Sequence, residues 1–202
     1  MTTLIDNPAI PSVLPGLIPY RIPVETYEAM VASGVFTKHD PIELIEGILV
    51  RKMPKGRKHS AGSEKSYRAI DRALPKGWHT RMKKPVRIPS RDSMPEPDIS
   101  VARGEPDDYL DIDPGPNNVA LIVEVSDTTL AADRALALTY GGGRIPAYWV
   151  VNVVDHQIEV YANAVDGAYP PPVIIPETGL VDLVIDGQVV AQIPAAELLG
   201  TD

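Results

Sequence analysis

The 202-residue chain has no cysteine, which excludes a disulfide framework, a thiolate metal site and a cysteine nucleophile in one step. No apolar run approaches the roughly 18–20 residues that a membrane-spanning helix requires, and the N-terminus lacks a basic stretch followed by an apolar one. The expectation is an unexported, cytoplasmic protein with no membrane partner. No internal repeat or low-complexity tract is present either. Nor does any lysine follow Lys84, an absence that becomes important once the motifs are laid out.

What is there is ordinary globular material. Hydrophobic residues at 44% and charged residues at 23% lie near the averages of about 45–50% and about 25%, enough for a real core. The length suits one domain with at most an appended arm. With 21 prolines and 15 glycines, roughly 18% of the chain against a background of about 12%, many turns and short strands are expected and an all-helical bundle is excluded.

Charge is unevenly spread. The formal net charge is −8, yet 14 of the 19 basic residues fall between Arg51 and Arg91, where the acids are Glu64 and Asp71. That segment carries +12 and the remainder −20, the asymmetry expected when one face meets the phosphates of a nucleic acid. A basic face paired with acidic neighbours in the same fold is the competing explanation.

Along the chain, residues 1–22 hold Pro8, Pro11, Pro15 and Pro19 without helical period and read as an extended N-terminal arm, with one domain over 23–202. Apolar spacing predicts an amphipathic helix over 24–33, a hairpin over 42–50 turning at Glu46-Gly47, and a helix over 60–74. Strands are expected over 79–88 and 98–102. The unbroken run from Val119 to Val125 has the pattern of a strand buried on both faces. A helix from Asp127 or Thr128 to Tyr140 follows, stopped by Gly141-Gly142-Gly143. Buried strands over 147–154 and 157–162, a loop over 167–176 and a closing hairpin around Asp186-Gly187 complete the chain. Strand, helix, strand makes a crossover, so the class is α/β: a mixed β-sheet flanked by helices, with added β-hairpins.

Glu124 interrupts the most apolar strand, where an ionised carboxylate loses several kcal/mol of solvation unless a metal ion, an Arg or Lys, or an open strand end compensates it. Asp98, after Pro97 at the start of a strand, is a second carboxylate that an adjacent strand can bring beside it. Two such groups can hold Mg²⁺, which takes oxygen ligands and keeps several waters.

The order Pro97-Asp98, loop, Glu124-Val125-Ser126, helix resembles the PD-(D/E)XK nuclease superfamily. More closely, the chain is similar to a widespread bacterial family of restriction-endonuclease-like proteins, formerly a domain of unknown function. The matching pieces are Glu43-Leu44-Ile45-Glu46-Gly47, His59, Pro95-Glu96-Pro97-Asp98-Ile99, Val123-Glu124-Val125-Ser126-Asp127, Asp133-Arg134, Tyr140 and Ile145-Pro146-Ala147-Tyr148-Trp149. The resemblance implies a restriction-endonuclease-like core with Asp98 and Glu124 as ligands of Mg²⁺ or Mn²⁺. It makes Glu43 a third acidic candidate, with Glu46 as its rival, and His59 a group that orients water or contacts a phosphate. Trp149 and Tyr148 are assigned to the core.

One departure stands out. The superfamily places a lysine two residues after the Glu, and here that residue is Ser126; family members carry it on the following helix, four residues after the Asp and four before the Tyr. Those counts give Ala137 and Leu136 respectively, and Ala137 is expected to be the residue aimed at the carboxylates. A substitute must come from Arg134, from Arg144 or from the basic segment. The expected function is an Mg²⁺-dependent endonuclease-like protein hydrolysing phosphodiester bonds in DNA, impaired by the missing lysine, with segment 51–91 holding the nucleic acid. The alternatives are a non-catalytic nucleic-acid-binding protein or a homodimeric interaction domain on the same fold.

Overall fold

A computed structural model describes residues 18–37 and 39–199. In chain order the elements are α1 (Val24–Ala32), β1 (Ile42–Ile45), β2 (Ile48–Arg51), α2 (Arg57–Ala73), β3 (Trp78–Met82), β4 (Ile99–Arg103), β5 (Val119–Ser126), α3 (Leu130–Gly142), β6 (Ala147–Asn152), β7 (Gln157–Ala162), β8 (Val173–Pro176), β9 (Leu180–Ile185), β10 (Gln188–Pro194) and α4 (Ala195–Leu198). Six strands form one sheet in the order β3-β4-β5-β6-β7-β8, and β1-β2 and β9-β10 are separate hairpins. Only β5 and β6 pair in parallel, as the intervening α3 demands, because a short turn cannot join parallel neighbours. The class is therefore mixed α/β, as expected.

All eight residues of β5 and all six of β6 are buried, so both strands carry near-continuous apolar runs rather than alternation. Alternation still decides which layer each side chain joins. Leu121, Val123 and Val125 of β5 and Trp149 and Val151 of β6 enter one core with Ile70 of α2, Leu183 of β9 and Leu198 of α4. On the opposite face, Ile122, Tyr148 and Val150 pack with Tyr140 of α3 and with Val86 and Ile88. Glu124 shares this second face. A third cluster ties Val24 and Tyr27 of α1 to Leu44 of β1.

Several boundaries differ from the periodicity. The strand expected to reach residue 88 ends at Met82, since Lys83 takes a left-handed φ of 49° and Pro85 follows, leaving Val86 and Ile88 as core plugs in irregular chain. Part of the loop expected over 167–176 is β8, an edge strand on β7, a position that tolerates its proline. Gly141 and Gly142 lie inside α3 rather than stopping it. A Cβ at Gly141 would come within 3.1 Å of the Tyr169 ring, so that residue serves a close helix–loop approach. Of the N-terminal arm expected over 1–22, residues 1–17 lie outside the described residues. Among the described residues, no helix is long and apolar enough to cross a membrane.

Trp149 is 1% exposed at the centre of the larger core. Trp149→Ala is expected to cost about 3–5 kcal/mol, read as a lowered urea midpoint with little change in slope. A loss below 1 kcal/mol would show that this core is not the main source of stability.

Candidate functional site

The register Ile99↔Val123 between β4 and β5 sets Asp98, one residue before β4, beside Glu124. Their contacts interlock. The Asp98 N–H donates to Glu124 Oε2 at 3.3 Å, and the Val125 N–H donates to Asp98 Oδ2 at 3.0 Å. Asp98 is 0% exposed and Glu124 7%. Two anions in so dry a place require compensation. At Asp98 it comes from α2 and the segment before it: Lys55 Nζ donates to Oδ1 at 2.5 Å and His59 Nε2 lies 2.8 Å from Oδ2. The Ser63 hydroxyl, one helical turn on, holds the other side of the ring at 3.3 Å from His59 Nδ1.

The two carboxylates respond oppositely. Burial opposes ionisation of Asp98, but the His59 and Lys55 contacts outweigh it and hold its pKa below the usual value. Glu124 is pushed well above its usual value, first by burial and then by the negative charge of Asp98, against which Lys55 works only at a distance. Its direct side-chain donor is neutral: the Tyr140 hydroxyl donates to Oε1 at 3.1 Å. Tyr140 itself is fully buried, its pKa raised well above normal by burial and by Glu124.

Glu124, Lys55 and His59 face a cavity of about 300 Å³, lined also by Glu43, Glu96 and Asp133; Asp98 lies behind Lys55 and His59. Glu43 accepts the Glu96 N–H at 3.0 Å, and burial raises its pKa. Glu46, the rival candidate, faces elsewhere, on Arg91 at 2.7 Å and the Thr139 hydroxyl at 2.8 Å. Asp133 of α3 accepts from the Thr129 hydroxyl at 2.7 Å, and burial raises its pKa too.

The structure thus brings together Asp98, Glu124, Glu43 and His59. Arg134 stands apart. Its guanidinium forks onto Glu159 of β7, with contacts of 2.6 and 2.9 Å, and it does not line the cavity. Arg144 is exposed and lines a different cleft, beside Gly141 and Gly167. The expected roles of Leu136 and Ala137 also reverse. Leu136 lines the cavity, because Ala132, Leu136 and Tyr140 form one i, i+4 row of α3 and the Tyr140 hydroxyl is anchored on Glu124. Both Leu136 and Ala137 pack against the second core, but Ala137 is not among the residues that line the cavity.

The family model described as "Uma2: Putative restriction endonuclease" matches residues 24–193. The chain belongs to this family. Its fold is also that of a solved structure from Anabaena variabilis ATCC 29413, titled a "putative nuclease belonging to DUF820": the TM-score is 0.65, with 17% sequence identity over 89% of this chain and 97% of that one. No curated protein matches the chain. Two residues of this cluster carry little signal in the sequence. Tyr140 was visible only as a motif letter, and burial of its ring under β5 shows why it matters. Lys55 had no distinguishing signal among its basic neighbours.

Those neighbours are less free than their charge suggests. Lys52, Lys55, Arg68, Arg72, Arg81, Arg87 and Arg91 are ion-paired with acids of the same chain. Arg57 and Lys58, exposed at the start of α2 two residues beyond Lys55, have no such ion pair among the described residues. Lys83 and Lys84 line a separate cleft against α1.

The Arg134–Glu159 pair supplies a pH test. Burial works against the Glu159 charge, but the Arg134 fork prevails and lowers its pKa. A depressed carboxylate stabilises the fold above its unfolded value of about 4.3 and loses that contribution as pH falls through the folded value. Glu159→Gln is expected to cost about 1–2 kcal/mol at pH 7, allowing for the half-exposed guanidinium. The difference from wild type should shrink below pH 4 in urea titrations; a constant difference would reject the linkage.

Proposed function

We propose that the chain is a divalent-metal-dependent nuclease that hydrolyses phosphodiester bonds in DNA at the cavity over Asp98 and Glu124. The observation that carries this reading is a pair of buried carboxylates, joined through backbone hydrogen bonds across β4 and β5, at a cavity that Glu124 lines together with Arg51, Lys52 and Lys55. The donor set suits a hard cation of the Mg²⁺ or Mn²⁺ kind. Both ligands are carboxylate oxygens, each with lone pairs to spare beyond its protein partners. The position beside Asp98 already accepts one cation, the Lys55 ammonium, and no positive side chain is in direct contact with Glu124. Among the described residues no group of three His, Cys, Asp or Glu side chains could enclose a metal, so the remaining positions would fall to water and substrate oxygens, as Mg²⁺ prefers.

Asp98 and Glu124 would hold the ion, and Glu43 faces the same space. When bound there, a divalent cation supplies Lewis-acid polarisation of a phosphoryl oxygen and acidification of water. The protein does the rest. Backbone N–H groups of Asp98 and Val125 orient the two carboxylates, Tyr140 fixes Glu124 from below, and the dry floor strengthens every charge interaction above it. Exposed Arg57 and Lys58 attract the nucleic-acid backbone toward the cavity mouth.

A second reading, a non-catalytic nucleic-acid-binding protein, is favoured by one observation: Leu136 stands where the α3 row would present a lysine to the site. Supercoiled-plasmid cleavage with Mg²⁺ or Mn²⁺ separates the two. Wild type is expected to nick or linearise DNA only with added metal, and Glu124→Ala to lose this activity. Calorimetry should show divalent binding that disappears in Asp98→Ala. DNA binding without cleavage, at any metal concentration, would select the second reading.

Nucleic-acid binding is expected to fall steeply with salt, because released counterions drive it. Charge reversal at Arg57 and Lys58 should weaken it more than reversal at Lys83 and Lys84. Equal effects in fluorescence anisotropy would place the nucleic acid elsewhere.

A further inference from the structure

Position 136 of α3 offers no charge, yet the site does not lack an ammonium. Lys55 lies on the opposite wall, in the stretch 52–56 between β2 and α2, which belongs to neither strand nor helix. Its Nζ reaches 2.5 Å from Asp98 Oδ1, with the lysine side chain 37% exposed and the aspartate fully buried. It spans from solvent to the floor of the site. Besides Asp98, which it contacts, the ammonium shares its cavity with Glu124 and Asp133. Lys52, the neighbouring cation on the cavity wall, is held by Glu96.

A phosphodiester entering this cavity meets Glu43, Glu96, Glu124 and Asp133, a wall that repels it unless a cation faces the reacting phosphate. Thr129, just before α3, and Ala132, Asp133 and Leu136 of α3 line the cavity, and none is positive. Building on the nuclease reading above, we infer that Lys55 is the catalytic lysine of this site, supplied from the segment before α2 rather than from β5 or α3. Its ammonium faces the attacking water and the scissile phosphate beside Asp98 and Glu124. There it offsets charge growing on the phosphoryl oxygens as the water oxygen bonds to phosphorus and gives up a proton to solvent, while the ester oxygen departs with the bonding pair and takes up a proton from solvent. A lysine suits this post because its charge is compact and its stem flexible, unlike the planar fork of arginine.

The absence of cysteine from the whole chain permits a clean test. Lys55→Cys introduces a single thiol, and alkylation with 2-bromoethylamine converts it to a lysine analogue with sulfur in place of one methylene. The full-length protein, Lys55→Cys before and after aminoethylation, and Glu124→Ala are compared for plasmid cleavage across a Mn²⁺ titration, with Mn²⁺ affinity measured by calorimetry. Lys55→Cys is expected to bind Mn²⁺ several-fold more tightly, because a competing cation has left Asp98. It should nevertheless cleave about 10²–10³-fold more slowly at saturating metal, the usual loss when a preorganised charge is removed. Aminoethylation should restore at least tenfold of that. If saturating Mn²⁺ alone returns Lys55→Cys to the wild-type rate, Lys55 is only a counterion of Asp98 and the inference is overturned. If Lys55→Cys matches wild type throughout while Glu124→Ala is inactive, the nuclease reading stands and the assignment of Lys55 falls. A wild type that never cleaves removes both.

Discussion

The burial of Glu124 in the middle of the sheet is the constraint on which the rest depends. A carboxylate on a strand with both neighbours paired has no route to bulk water along the backbone. Its environment must therefore be made to order. Asp98 is brought to it by the β4–β5 register, Tyr140 by α3, and Lys55 and His59 by the start of α2. Remove Lys55 or His59 and the buried Asp98 carboxylate loses a contact that offsets its burial.

The single parallel pairing in the sheet is part of the same arrangement. Because α3 must cross from the end of β5 back to the start of β6, it lies over the face that carries Glu124, and its i, i+4 row closes the cavity on that side. The helical layer on the other face, α2 with α4, is linked by the Ser66 hydroxyl on the Leu198 carbonyl at 2.8 Å. The N-terminus of α2 reaches round to the carboxylates, so one helix serves both the main core and the site. Ion pairing follows the same division. Much of the basic segment is consumed in bracing the fold.

The strands of the centre were legible because both-face burial writes an apolar run directly into the chain, and the lone Glu within it marked the site. Glu43 and Glu46 were not separable, since both occupy one hairpin three residues apart; the left-handed turn at Glu46 carries its side chain off to Arg91 and Thr139. The choice between Leu136 and Ala137 went the other way from expectation because the helix takes its phase from the Tyr140 anchor on Glu124, not from its first residue. Arg134 looked available from spacing, but Glu159, 25 residues away, claims it.

Sequence alone therefore determined the α/β class, the central strands, the carboxylate pair and the membership of its motifs in a recognisable order. These are consequences of local periodicity and of the penalty for burying charge, both of which act on near neighbours in the chain. Only the tertiary structure decided where the ammonium comes from. Lys55 and Asp98 are 43 positions apart, on a segment with no periodic pattern, and their contact exists because the hairpin, α2 and β4 converge on one buried anion.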